Sequence, residues 1–215
     1  MARSMVGVFV CLVFALSSSF SQAKSDRKIL VIGDSISNGH GLATPWPTLL
    51  KRETGINIVN RSVSAVETDF GVTEIANGVM QHNPSDVFIM MGTNDVARDK
   101  SLNSALANLQ SMINQARDAN ARVFIATILP ILGSEFSRFN QRSLDLNAGI
   151  ADLNGAFLVD VRAAFVDPTS LMADNLHPNQ LGQNVIFNVF LPEILKTASS
   201  DTVFLPAIDL LLATD

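Results

Sequence analysis

Three short segments hold side chains whose types and spacing suit acyl transfer. Ser35 lies in Gly33-Asp34-Ser35-Ile36-Ser37-Asn38-Gly39, Asn94 in Gly92-Thr93-Asn94-Asp95, and an aspartate and a histidine three apart in Asp174-Asn175-Leu176-His177-Pro178-Asn179. A serine hydroxyl is a weak nucleophile until a neighbouring base takes its proton. An imidazole does this near neutral pH, and a carboxylate three residues earlier in a turn can orient the ring. An asparagine amide can donate to an oxyanion as it forms. His177 precedes a proline, which disfavours helical backbone, so its segment reads as a loop that presents its side chains. The set supplies a nucleophile (Ser35), a base (His177), an orienter (Asp174) and an amide donor (Asn94).

Such groups cooperate only if the fold brings them together, and each follows an element that can do so. Short apolar runs read as buried parallel strands at Ile29–Ile32, Ile56–Val59, Val87–Met91, Val123–Ile128 and Phe157–Val159. Between them, Leu102, Leu106, Leu109, Met112, Ile113 and Ala116 recur at helical spacing. Further helices are expected near Pro47–Glu53, Glu67–Gln81, Gln141–Leu153 and Asn179–Lys196. Five strands alternating with helices imply an α/β fold, a three-layer doubly wound sandwich around a parallel five-stranded sheet. In such sheets ligands bind beyond the C-terminal strand ends, where Ser35, Asn94 and the His177 loop fall. The sequence has no internal repeat and no sign of a second core.

At these residues the chain resembles the SGNH (GDSL) hydrolases. Gly33-Asp34-Ser35-Ile36-Ser37, Gly92-Thr93-Asn94-Asp95 and Asp174-Asn175-Leu176-His177-Pro178 match three of that family's four blocks, in order, and the likeness covers about residues 28–195. Secreted and periplasmic esterases of the lysophospholipase, thioesterase and arylesterase type are the most similar. The resemblance implies the flavodoxin-like fold of that family and carboxylic ester hydrolysis through Ser35, His177 and Asp174. It also implies an oxyanion hole formed by the N–H of Ser35, the N–H of Ala65 and the Asn94 amide, with no metal or organic cofactor. The second block departs from the pattern. Asn60-Arg61-Ser62-Val63-Ser64-Ala65 ends in alanine where the family usually has glycine, and Gly71 lies too far on to replace it. A positive φ at Ala65 would strain it by about 1 kcal/mol or more. That departure keeps open a catalytically impaired SGNH-like binding module. An O-acetylesterase acting on acetylated carbohydrate is a further alternative. The Gly-x-Ser-x-Gly elbow of α/β-hydrolases is absent, as is a phosphate-cradling glycine loop of a flavodoxin-like cofactor binder.

The remaining residues narrow the setting. The 215 residues carry 15 basic and 20 acidic side chains, and this acidic balance argues against a nucleic-acid partner. The expected partner is a small-molecule or lipid ester. Arg3, the apolar run Val6–Leu16 and the small residues up to Ala23 have the layout of a secretory signal, and the run is too short to span a membrane. The chain therefore divides into a signal peptide (1–23), a hydrolase domain (24–198) and an apolar tail (199–215), and is expected to be secreted or periplasmic. The single cysteine, Cys11, falls in the signal. Asp34 and Asp95 read as turn-stabilising hydrogen bonders, and Trp46 as a packing residue at the start of a helix. His82 reads as an exposed helix end. His40, Ile131 and Leu132 are candidate substrate contacts, and the apolar segment Pro130–Phe139 is expected to shape an acyl pocket. Asn60-Arg61-Ser62 is formally a glycosylation sequon, but its place at the crevice argues against modification.

Overall fold

The structure is a computed structural model that describes residues 27–41, 43–133 and 137–199. The expected signal peptide and Cys11 lie outside the described residues, and so does the tail after Ser199. Strands β1 (Lys28–Gly33), β2 (Asn57–Asn60), β3 (Asp86–Met90), β4 (Arg122–Ala126) and β5 (Phe157–Val159) form one sheet in the order β2-β1-β3-β4-β5. Every pairing is parallel. The helices are α1 (Ser35–Asn38), α2 (Trp46–Thr54), α3 (Thr68–His82), α4 (Thr93–Ala97), α5 (Leu102–Asp118), α6 (Ser137–Ala151), α7 (Pro168–Leu171) and α8 (Gln180–Ser199).

The side-chain period of two explains why the interior strands β1, β3 and β4 are nearly apolar throughout, whereas the edge strands are not buried on both faces as expected: Asn57 of β2 and Phe157 and Leu158 of β5 are exposed. Leu30, Ile32, Val87, Ile89, Val123 and Ile125 enter one core with Ile75 of α3, Leu109, Met112, Ile113 and Ala116 of α5, and Leu146 and Ile150 of α6. Their neighbours Ile29, Val31, Phe88, Met90, Phe124 and Ala126 enter the other, with Trp46 and Leu50 of α2 and Ile186, Phe190 and Ile194 of α8. Trp46 is fully buried. It stacks on Phe190 at 4.2 Å between centroids and donates from Nε1 to Ser37 Oγ at 3.1 Å, tying this core to the Ser35 turn.

Several boundaries differ from the sequence reading, for local reasons. Strand β4 stops at Ala126, short of Ile128, because Asn147 of α6 takes over the backbone there: Ile128 N–H donates to its Oδ1 at 2.8 Å and its Nδ2 donates to Ile128 O at 2.9 Å. Helix α6 begins at Ser137 rather than Gln141, and its early Phe139 joins the core. Asn179 is not the first residue of α8 but caps it, its Oδ1 accepting Gly182 N–H at 3.1 Å. His82 ends α3 as expected but is half-buried, with Nε2 inaccessible and without a hydrogen bond. Among the described residues no helix is long and apolar enough to cross a membrane.

Candidate functional site

The first block turns sharply out of β1. Asp34 is the N-cap of α1, and its Oδ1 accepts Ile36 N–H at 2.9 Å. Gly39 closes the single turn in left-handed conformation (φ +91°), its N–H bonding Ser35 O at 2.9 Å. A Cβ on Gly33 would stand 2.6 Å from Ser37 Cβ and 2.9 Å from Ser62 Oγ, so only glycine lets the turn close on its neighbours. Ser35 is thereby held at the C-terminal end of the interior strand β1, about 5% exposed.

The last block meets it from across the chain. Ser35 Oγ lies 3.0 Å from His177 Nε2, and His177 Nδ1 lies 2.9 Å from Asp174 Oδ2. Asp174 Oδ1 accepts the N–H groups of Leu176 and His177, both at 2.7 Å. Partial burial alone would push the Asp174 carboxyl up. The hydrogen bonds from the His177 N–H and ring and from Leu176 N–H outweigh it and hold the carboxyl below its usual range. The loop itself is braced. Met172 bridges Pro178, Ala173 N–H bonds His177 O at 2.8 Å, and Leu132 N–H bonds Asn175 O at 2.9 Å. Gly182 lets α8 approach this loop, since a Cβ there would meet Leu171 O at 2.3 Å.

The second block is laced to the first, and the third to the backbone that follows the second. Asn60 Nδ2 donates to Ser37 O at 2.8 Å, Asn38 Nδ2 to Ser62 O at 3.0 Å, and Asn94 Nδ2 to Val66 O at 2.8 Å. The Asn94 bond uses one of its two amide hydrogens. It anchors the backbone one residue beyond Ala65, which is exposed and has φ +62°. The glycine-like geometry anticipated for this position is therefore present in an alanine. Gly71 serves packing instead, since a Cβ at this point of α3 would meet Met91 Sδ at 2.6 Å and Met112 Sδ at 2.7 Å.

Both motif aspartates are buried hydrogen-bond acceptors. Asp95 receives Thr68 N–H at 3.1 Å and Thr68 Oγ1 at 2.7 Å, anchoring the start of α3, and burial pushes its carboxyl up. Burial likewise pushes the Asp34 carboxyl up to about 6, against the Ile36 N–H and the nearby His177, which favour its charged form. Its second oxygen, Oδ2, is buried without a hydrogen bond.

The pocket candidates separate. His40 is exposed, and its ring lies against that of His177, centroids 4.1 Å apart and planes within 5°. Leu132 stays half-exposed in the loop tied to Asn175. Ile131 is about 4% exposed and belongs to the core that holds Ile128, Phe139 and Leu146, so its side chain is core rather than an open pocket wall. Sequence reasoning missed Gln183, whose signal was a glutamine among the apolar residues of the last helix. Its Oε1 accepts Trp46 N–H at 2.9 Å and its Nε2 donates to Ile36 O at 2.8 Å. Among the described residues no group of three or more histidine, cysteine, aspartate or glutamate side chains could hold a metal ion.

The model of the GDSL-like lipase/acylhydrolase family matches residues 31–185, most of the chain and all of these blocks. The chain belongs to that family. It is a carboxylic ester hydrolase. An arylesterase from Vibrio mimicus is 28% identical over 89% of this chain and 99% of its own length. An Escherichia coli protein named for thioesterase, protease and lysophospholipase activities is 24% identical over 88% of this chain and 93% of its own. Among solved structures, an acetylxylan esterase from Geobacillus stearothermophilus superposes with a TM-score of 0.68 at 25% identity, covering 79% of this chain and 94% of that one. This GDSL-family member shares the fold of that solved esterase, here a five-stranded parallel sheet flanked by helices.

Proposed function

We propose that the chain cleaves esters through a serine acyl-enzyme, with Ser35 as nucleophile, His177 as base and Asp174 as the group that orients it. The observation that carries this reading is the unbroken chain of hydrogen bonds from Asp174 Oδ2 to His177 Nδ1 (2.9 Å) and from His177 Nε2 to Ser35 Oγ (3.0 Å). Ser35 Oγ adds to the ester carbonyl as its proton passes to His177 Nε2. The tetrahedral oxyanion is received by the N–H groups of Ser35 and Ala65 and the remaining Asn94 amide hydrogen. His177 then returns its proton to the departing alkoxide or phenoxide. Water, deprotonated by the same imidazole, attacks the acyl-serine, and the carboxylic acid leaves with Ser35 restored. Each oxyanion donor is typically worth about 3–4 kcal/mol of barrier.

The substrate in this reading is a small-molecule or lipid ester, with the half-exposed Leu132 beside the site favouring an apolar acyl group. The likeness to an acetylxylan esterase favours a second reading, removal of acetyl groups from carbohydrate. A chain-length series of p-nitrophenyl esters separates them: activity rising beyond butyrate supports the apolar acyl group, and activity confined to acetate supports deacetylation. Export rests on the layout of residues 1–23 and predicts a mature chain beginning at Lys24. The deciding experiment is hydrolysis of p-nitrophenyl butyrate and acetate by the wild type, Ser35→Ala and His177→Ala. Both variants are expected to lose about a thousandfold or more in kcat. An undiminished Ser35→Ala, or an inactive wild type, overturns the mechanism, and the latter returns the impaired binding module.

A further inference from the structure

Three successive residues after α1 have left-handed backbone: Gly39 (φ +91°), His40 (φ +47°) and Gly41 (φ +72°). The two glycines adopt it freely, but a residue with a Cβ does so at a cost. His40 is exposed, so burial in the core does not offset that cost. What the conformation does achieve is a ring contact, with the His40 imidazole parallel to that of His177 at 4.1 Å. Strain that persists at a candidate site is an observation from which function can be inferred.

We infer that His40 is a positioning residue that holds the His177 ring in its working orientation. This rests on the reading of His177 as the base. Asp174 and Ser35 grip His177 at its two ring nitrogens, and both contacts lie in the plane of the ring. Two in-plane contacts fix an axis but do little against tilting about it. The bond to Ser35 is also given up when Oγ attacks the carbonyl, at the moment when Nε2 must turn its new proton toward the leaving group. A flat ring against one face resists that tilt through the whole cycle. An aromatic ring of another kind should serve, whereas a side chain that suits left-handed backbone but lacks a ring should not.

The test compares His40→Asn, which tolerates the left-handed backbone, with His40→Phe, which keeps a ring. Steady-state hydrolysis of p-nitrophenyl acetate is measured below both melting temperatures, with active sites counted by fluorophosphonate labelling. His40→Asn should lose about ten-fold in kcat with KM within about two-fold of wild type, since misplacing a catalytic group acts on the chemical step. His40→Phe should recover most of that loss, and the rate of fluorophosphonate labelling should follow the same order. Wild-type kcat in His40→Asn, a change confined to KM, or a His40→Phe as slow as His40→Asn overturns the proposal. A change confined to KM would make His40 a substrate contact instead. Full activity in His177→Ala under the same conditions overturns the reading beneath it, whatever the His40 variants do.

Discussion

Ala65 holds a backbone position that suits glycine, and its methyl group has a measurable cost there. A non-glycine residue at φ +62° is destabilised by about 1 kcal/mol or more. Ala65→Gly should therefore raise the urea unfolding free energy by about 1 kcal/mol while leaving the N–H in place. If that N–H receives the oxyanion, kcat should be equal or higher, and a fall in kcat would show that the methyl group itself contributes to the site. Asp34 makes a second residue-level case. Its folded carboxyl titrates near 6 because of burial, against about 3.9 in an unfolded chain. The folded state thus keeps the proton longer. The stability this group contributes is fully present below about pH 4 and is lost as pH rises through 6, a change on the order of 3 kcal/mol by pH 7. Asp34→Asn removes the charge and keeps an oxygen for Ile36 N–H. The stability of the variant relative to wild type should therefore climb between pH 4 and pH 7, whatever constant offset the exchange introduces. A difference that does not vary with pH across that interval would refute the assignment.

At the scale of elements, the turn that carries Ser35 is short, and it depends on what grips it. Gln183 of α8 clasps Ile36 O of α1 and Trp46 N–H of α2 while itself about 1% exposed. Gln183→Ala would leave a buried donor and a buried acceptor unmade, at about 1–3 kcal/mol each. Urea unfolding should report a loss of several kcal/mol, with a lower kcat in the fraction that remains folded. A loss below about 1 kcal/mol would mean that the clasp is dispensable. These elements also show what a sequence can and cannot display. Helix α5 was legible because Leu109, Met112, Ile113 and Ala116 repeat at its own period, and β1, β3 and β4 because both their faces are buried. The blocks around Ser35, Asn94 and His177 were legible because each is a contiguous string. The end of β4 was not, since it is set by an amide of Asn147 on a later helix. Nor was the stack of His40 on His177, a contact between residues far apart in the chain whose approach depends on left-handed backbone. Ile131 shows the opposite error: an apolar residue in a loop reads as a pocket wall until packing shows it to be core.

Across the whole molecule, the two ends of the sheet are built differently. The C-terminal end carries the candidate site and accepts local cost there: left-handed His40 and Ala65, and the buried, unbonded Asp34 Oδ2 and Ser62 Oγ. The N-terminal end is tied down by charge. Asp86, fully buried at the start of β3, meets Arg27 Nε at 2.8 Å and Arg122 Nη2 at 2.7 Å, and accepts Ser85 Oγ at 2.9 Å. Arg27 reaches on to Ile194 O, so one carboxylate gathers the entries of β1, β3 and β4 and the far end of α8. This division matches the general trade in which a strained site is carried by a scaffold stabilised elsewhere. It predicts that the two ends can be perturbed separately. Asp86→Asn removes one partner of a buried ionic cluster, a change that typically costs 3–5 kcal/mol. Both arginines retain some exposure, so the loss should be about 3 kcal/mol, lowering the melting temperature by several degrees. Because the change lies at the opposite end of the strands from Ser35, kcat per labelled active site should stay within about two-fold of wild type well below the melting temperature. Thermal unfolding and fluorophosphonate titration on the same sample measure both quantities. A fall in kcat that parallels the loss of stability would mean that the site draws on the ionic cluster through the strands, and that the two ends of the sheet form one cooperative unit.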